Sequence, residues 1–134
     1  MELLPPLFVQ VAITFVLLLA MAFLRVKSIK SGKVHPKDVA LGQPNWTEKA
    51  TKVGNSYHNQ FQIPVLFYLL IGLLMVTNLA DSTFLYCAWG YVGLRLLHAI
   101  IHVSNNNILM RFYAFAASNV LLMVMWGRFG LAVM

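Results

Sequence analysis

Four apolar runs, at about residues 3–24, 59–77, 83–103 and 111–126, alternate along the chain with stretches of polar residues. A helix rising 1.5 Å per residue needs about 20 residues to cross a hydrocarbon core of about 30 Å, and each run is close to that length. The pattern predicts an all-α fold: an integral membrane four-helix bundle formed by one domain over residues 1–134. Pro5 and Pro6 suit the start of the first helix, because first-turn N–H groups have no intrahelical partner. A cleaved signal peptide fits this run less well, since it is too long and its basic residues follow rather than precede it. Residues 25–57 form the one long polar stretch, with Gly32, Pro36, Gly42 and Pro44 breaking regular structure, and are predicted to be a loop. The connections around Asn78–Ser82 and Ser104–Met110 are short.

Composition strengthens the membrane assignment. Sixty per cent of the residues are hydrophobic and 10% charged, against about a quarter charged in an ordinary soluble domain. The formal charge of +6 would suggest nucleic acid only if it were spread over a surface. Instead Arg25, Lys27, Lys30, Lys33, Lys37, Lys49 and Lys52 all lie in the 25–57 stretch. That concentration is a topology signal: it puts the stretch in the cytoplasm and both termini outside, with no nucleic-acid partner expected. Trp126 and Arg128 suit the far interface. Cys87, the single cysteine, can form no intramolecular disulfide. A compact chain without a targeting extension fits a bacterial inner membrane.

Ionisable residues inside the runs are the candidates for chemistry. Arg95, His98 and His102 fall on one helical face, and Arg111 opens the fourth run. An arginine at hydrocarbon depth costs at least about 3 kcal/mol unless it faces other helices or a wet cavity. This face is therefore expected to point inward, towards a polar pocket. Asn55, Asn59 and Gln62 share a face of the second run, where amides also serve as plain helix–helix glue. Arg111 reads either as a snorkelling interfacial residue or as a fixed cation that stabilises an anion such as a thiolate. No metal site is expected, because no acid or cysteine stands ready to complete a shell around His98 and His102.

With these residues in view, the chain resembles the MAPEG family, the membrane-associated proteins of eicosanoid and glutathione metabolism. The resemblance covers nearly the full length and is strongest in Asn59-Gln60-Phe61-Gln62-Ile63-Pro64-Val65-Leu66-Phe67-Tyr68 and Arg95-Leu96-Leu97-His98-Ala99-Ile100-Ile101-His102. His35-Pro36-Lys37-Asp38 looks like the Asn-Pro-Glu-Asp element of the prostaglandin E synthase branch. The resemblance implies a homotrimer with glutathione held between protomers near the cytoplasmic face, and a lipophilic substrate entering from membrane lipid. It matches Arg111 to the arginine that activates the glutathione thiol, and Arg95 and His98 to the Arg-x-x-His of the third helix. Asn59 and Lys27 match further cofactor contacts. Three positions depart from the branch: Gln62 replaces a glutamate expected at the glutathione ammonium, His102 a tyrosine, and Phe115 a second tyrosine. Asn119 stands for a glutamine. These departures resemble bacterial-type members. The leading expectation is a glutathione- or thiol-dependent transferase or peroxidase acting on lipophilic electrophiles, with Arg111 and His102 catalytic and Lys27, Asn59, Gln62, Arg95, His98 and Asn119 binding the cofactor. The alternative is a non-catalytic scaffold of the same fold that binds lipid or a partner membrane protein.

Overall fold

The computed structural model describes residues 2–134. Among them, four helical stretches are long and apolar enough to cross a membrane: Leu4–Lys30, Glu48–Thr77, Ser82–Val103 and Ile108–Val133. They form an all-helical bundle, in agreement with the pattern of apolar runs.

The first helix, α1 (Leu4–Lys30), begins on its proline pair and continues past the expected end at residue 24. Its 27 residues reach roughly 40 Å, so the last two turns extend beyond an apolar slab of about 30 Å. Polar residues there do not end a helix that no longer needs lipid around it. Lys27 and Lys30 in the last turn sit favourably near the carbonyl end of the helix dipole. The helix stops where Gly32 adopts a positive φ of 74° and donates its N–H to the Ile29 carbonyl at 3.1 Å.

The expected 25–57 loop is thus shorter at its start, and it is shorter at its end as well. Helix α2 spans Glu48–Asn59, with Thr47 as its N-cap accepting from the Ala50 N–H at 3.4 Å. Its low apolar content hides a short buried face: Ala50, Val53, Gly54 and Ser56 pack inward, largely against α1. The Ser28 and Thr47 hydroxyls, 3.2 Å apart, join the end of α1 to the start of α2.

After Asn59 the chain passes through a tight turn and resumes as α3 (Pro64–Thr77). Pro64 has no N–H to donate and its ring crowds the carbonyl four residues earlier, so the regular ladder cannot pass this point. Residues 60–62 instead bond three residues back: Gln60 N–H to Tyr57, Phe61 to His58, and Gln62 to Asn59. The side chain of Gln60 then donates to the Ser56 carbonyl at 3.0 Å and accepts from Gln10 of α1 at 2.9 Å. Gln10 and Gln60, both buried, brace the kink against α1.

Helix α4 (Ser82–Val103) is the central element, packed on α5 (Ile108–Val133), α1 and α2. Phe67 of α3 stacks on Tyr91 of α4 with ring centroids 4.6 Å apart, and Leu70, Ile71, Leu74, Ala88 and Leu122 fill the core around them. Gly90 permits the close approach of α4 and α5, since a Cβ there would meet Leu121 at 3.1 Å. Helix α5 is longer than the 111–126 run at both ends. Asn107 caps it by accepting from the Leu109 and Met110 N–H groups at 3.1 Å each.

At the other end Arg128 does not stop the helix, because it folds onto Asp81 and over the Phe84 ring. Trp126 donates its indole N–H to the Leu66 carbonyl at 3.2 Å. Asp81 has two roles: it caps α4 by accepting from the Phe84 N–H at 2.9 Å, and it pairs with Arg128 through both carboxylate oxygens. The Arg128 bonds, helped by the Phe84 N–H, hold its carboxyl below the usual value of 3.8. A depressed carboxylate pKa contributes stability that is complete above the unfolded value and lost as pH falls through the folded one. Asn also caps helices well, so Asp81→Asn removes mainly the charge. The variant should melt below the wild type at neutral pH, with the gap closing as pH drops below the ordinary carboxylate range. A gap that does not change with pH would assign the loss to something other than the ion pair.

Candidate functional site

The kink before Pro64, the last turns of α4 and the first turns of α5 meet around a cavity of about 480 Å³. The α2–α3 side contributes Asn55, His58, Asn59 and Gln62; α4 contributes His98 and His102; α5 contributes Ile108, Arg111, Phe112 and Phe115. The wall is therefore polar on two sides, whereas α5 sets Arg111 among apolar side chains. No group of three His, Cys, Asp or Glu side chains able to hold a metal comes together among the described residues.

Arg95 lies behind this wall rather than in it, with none of its surface exposed. Its Nη2 donates to Asn59 Oδ1, while Nε and Nη1 are buried without a protein partner. Asn59 in turn donates through Nδ2 to Gln62 Oε1 at 3.3 Å. One hydrogen bond to a charged group contributes about 1.5–3 kcal/mol, comparable to the lowest cost of placing an arginine at this depth. A single amide thus leaves the guanidinium under-satisfied and strongly polarising towards the cavity.

His98 and His102 stand one turn apart on the stripe that carries Arg95, with rings 5.5 Å apart and edge to face. Both Nδ1 atoms are buried without a partner. The ring of Phe115 covers His98 at 5.7 Å, where a tyrosine would have brought a hydroxyl. Arg111 reaches in from the first turn of α5, and its Nη1 donates to Asn106 Oδ1 at 2.6 Å. Asn106 itself holds a left-handed backbone conformation, with φ of 52°, in the α4–α5 loop.

Five of the eight residues expected from sequence therefore line one chamber: Asn59, Gln62, His98, His102 and Arg111. Arg95 supports it from behind. Asn119 stands apart, in a second and largely apolar cleft of about 580 Å³ between α3 and α5, together with Ile63, Leu66, Leu122, Met123 and Trp126. Its Oδ1 is buried and unpaired, and it follows Arg111 and Phe115 along one face of α5. Lys27 is exposed on the last turn of α1 and lines neither cavity.

His58 and Asn106 are site residues that the sequence reading did not single out. The periodicity could have found His58, because it precedes Gln62 by four residues on one helix face. Taking residues up to 57 as loop, and starting the second helix at Asn59, passed over that signal. Asn106 carries no sequence signal of its own, and its role comes from a turn that aims its side chain at Arg111.

The bundle thus carries a chamber lined by amides, two α4 histidines and Arg111, and a largely apolar cleft between α3 and α5. A model of the MAPEG family matches residues 3–131, and the chain belongs to that family. It is an integral membrane protein of a family whose members generally use glutathione. Comparison with the curated proteins and with the solved structures found no match.

The Arg95–Asn59 contact makes a prediction about stability. Asn59→Ala should destabilise the protein by about 1.5–3 kcal/mol, the worth of a hydrogen bond to a charged group. Adding Arg95→Met should restore part of the loss, because the uncompensated charge is then gone. A double-mutant cycle by denaturation in mixed micelles measures the coupling, and strictly additive losses would remove the bond from the account.

Proposed function

We propose that the protein is a membrane-embedded, thiol-dependent transferase or peroxidase acting on lipophilic electrophiles, with glutathione the thiol its family suggests. The observation that carries this reading is the convergence of Arg111, His98 and His102 with Asn59 and Gln62 on one chamber beside an apolar cleft. A bound thiol supplies the nucleophile. Arg111 stabilises the thiolate by its fixed positive charge, since a cationic neighbour raises the fraction of ionised sulfur. His102, which lines the chamber one turn from His98, takes the thiol proton. Arg95 and His98 shape the chamber and favour carboxylate, while Asn59 and Gln62 orient the cofactor.

The chamber suits the two carboxylates and the sulfur of glutathione, but offers no acidic partner for its ammonium. The α3–α5 cleft, with Asn119 at its polar end, takes the lipophilic reactant arriving from the bilayer. The assembly in this reading is a homotrimer in a bacterial inner membrane, with both termini outside and Lys27 of one protomer reaching the chamber of the next.

A second reading, a non-catalytic scaffold that binds lipid or a partner membrane protein, draws on two observations. Arg111 is already engaged by Asn106, and Phe115 offers no donor to an anion. It predicts no saturable thiol binding.

Arg111→Ala decides between them. Loss of one preorganised charge-stabilising donor typically lowers turnover by about 10²- to 10³-fold. Turnover with glutathione and a lipophilic electrophile should fall by that factor, while size-exclusion chromatography shows the oligomer unchanged. Undiminished turnover would take Arg111 out of the mechanism, and no turnover by the wild type with glutathione or with an uncharged thiol would favour the scaffold.

A further inference from the structure

The charges of the spanning helices are one-sided. Glu48 is the only acidic residue in the four spans, and it lies two turns before Asn55. Its side chain is 84% exposed and already paired with Lys52 at 3.0 Å. The chain's other acids, Glu2, Asp38 and Asp81, are remote in the fold: Glu2 and Asp81 line a pocket by the α3–α4 turn, and Asp38 lies in the basic loop. No carboxylate lines the chamber, whereas Arg111 lines it and Arg95 stands behind it with two donor nitrogens unpaired.

The neutral groups of the wall bring no negative charge: Asn59 Oδ1 already accepts from Arg95 and Gln62 Oε1 from Asn59, and Asn55 is an uncharged amide. A neighbouring copy that docked through α1 would add Lys27 and Lys30 and no acid.

From this we infer that the chamber selects against a cationic amine: its ligand is a carboxylate-bearing thiol without a free ammonium group, such as an N-acylated peptide thiol. This inference rests on the thiol reading above and specifies its cofactor class. Like charges repel more strongly where water is scarce, and an ammonium would enter a site holding two guanidinium groups without an anion to meet it. A carboxylate would instead be drawn in by both guanidinium groups, Arg111 on the wall and Arg95 behind it, through the same charge interaction with the opposite sign. An amide in place of the ammonium removes the repulsion and leaves the carboxylates and the sulfur in place.

The test is calorimetric titration of the detergent-purified oligomer with glutathione and with N-acetylglutathione, on the wild type and on Gln62→Glu. Turnover of a lipophilic electrophile with uncharged dithiothreitol is followed in parallel. The wild type should bind the N-acetylated thiol at least as tightly as glutathione. Gln62→Glu, which adds the missing carboxylate, should prefer glutathione by about 10-fold or more, the change expected of about 1.4 kcal/mol. Tighter binding of glutathione by the wild type, or saturable binding of neither thiol, would overturn the inference. Dithiothreitol-dependent turnover in that case would leave the thiol-enzyme reading standing. The expected binding preference without turnover by any of these thiols would uphold the charge selection and remove the catalytic reading.

Discussion

A guanidinium with no exposed surface in a helix built to cross a membrane is the constraint around which this structure is arranged. Arg95 cannot snorkel to water, and no acid lies in its helix to neutralise it. The fold meets the charge with an amide from the neighbouring chain segment, and Asn59 arrives there because the second spanning element breaks one turn before Pro64. A straight helix would carry a continuous backbone ladder through residues 60–64. The interrupted one frees the Ser56 carbonyl, which the Gln60 side chain takes up, and Gln10 donates to that side chain from α1. Buried polar groups satisfied in this way specify one arrangement, since each displaced partner would leave an unpaired donor or acceptor in an apolar setting.

The chamber follows from the same break. The turn at 60–63 separates α2 from α3 beside α4 and α5, and the opening there is lined by what the helices carry: amides, imidazoles, Arg111 and apolar side chains of α5. At the other end of the bundle the chain needs no such opening. There Asp81 caps α4, pairs with Arg128 and draws the end of α5 onto the Phe84 ring. One end is thus closed by an ion pair and the other left open by a proline. That asymmetry gives a nearly uniform apolar bundle a single polar end suited to binding.

Particular residues show how far the amino-acid order alone reaches. The four apolar runs and the stripe of Arg95, His98 and His102 were legible because helical period and bilayer thickness are fixed quantities. The stripe is buried as its spacing implies, and two of its members face the chamber. The helix at Glu48–Asn59 was not legible, because its inward face is only Ala50, Val53, Gly54 and Ser56 and its remaining residues are polar. Its stability comes from packing on α1, which no local window contains. For the same reason His58 escaped notice, and the basic loop looked longer than it is.

What the sequence determined by itself is the class of molecule: four spanning helices, a cationic first connection, and a polar stripe that has to face inward because lipid cannot solvate it. Tertiary structure alone decided which groups meet. Spacing could not tell that Asn59 rather than Gln62 would take the Arg95 guanidinium, that Asn106 would hold Arg111, or that Asn119 would lie in the apolar cleft. Nor could it place Lys27 outside the chamber of its own chain. Periodicity assigns a residue to a face of its own helix, whereas the partner across the gap depends on where neighbouring helices bend, start and stop.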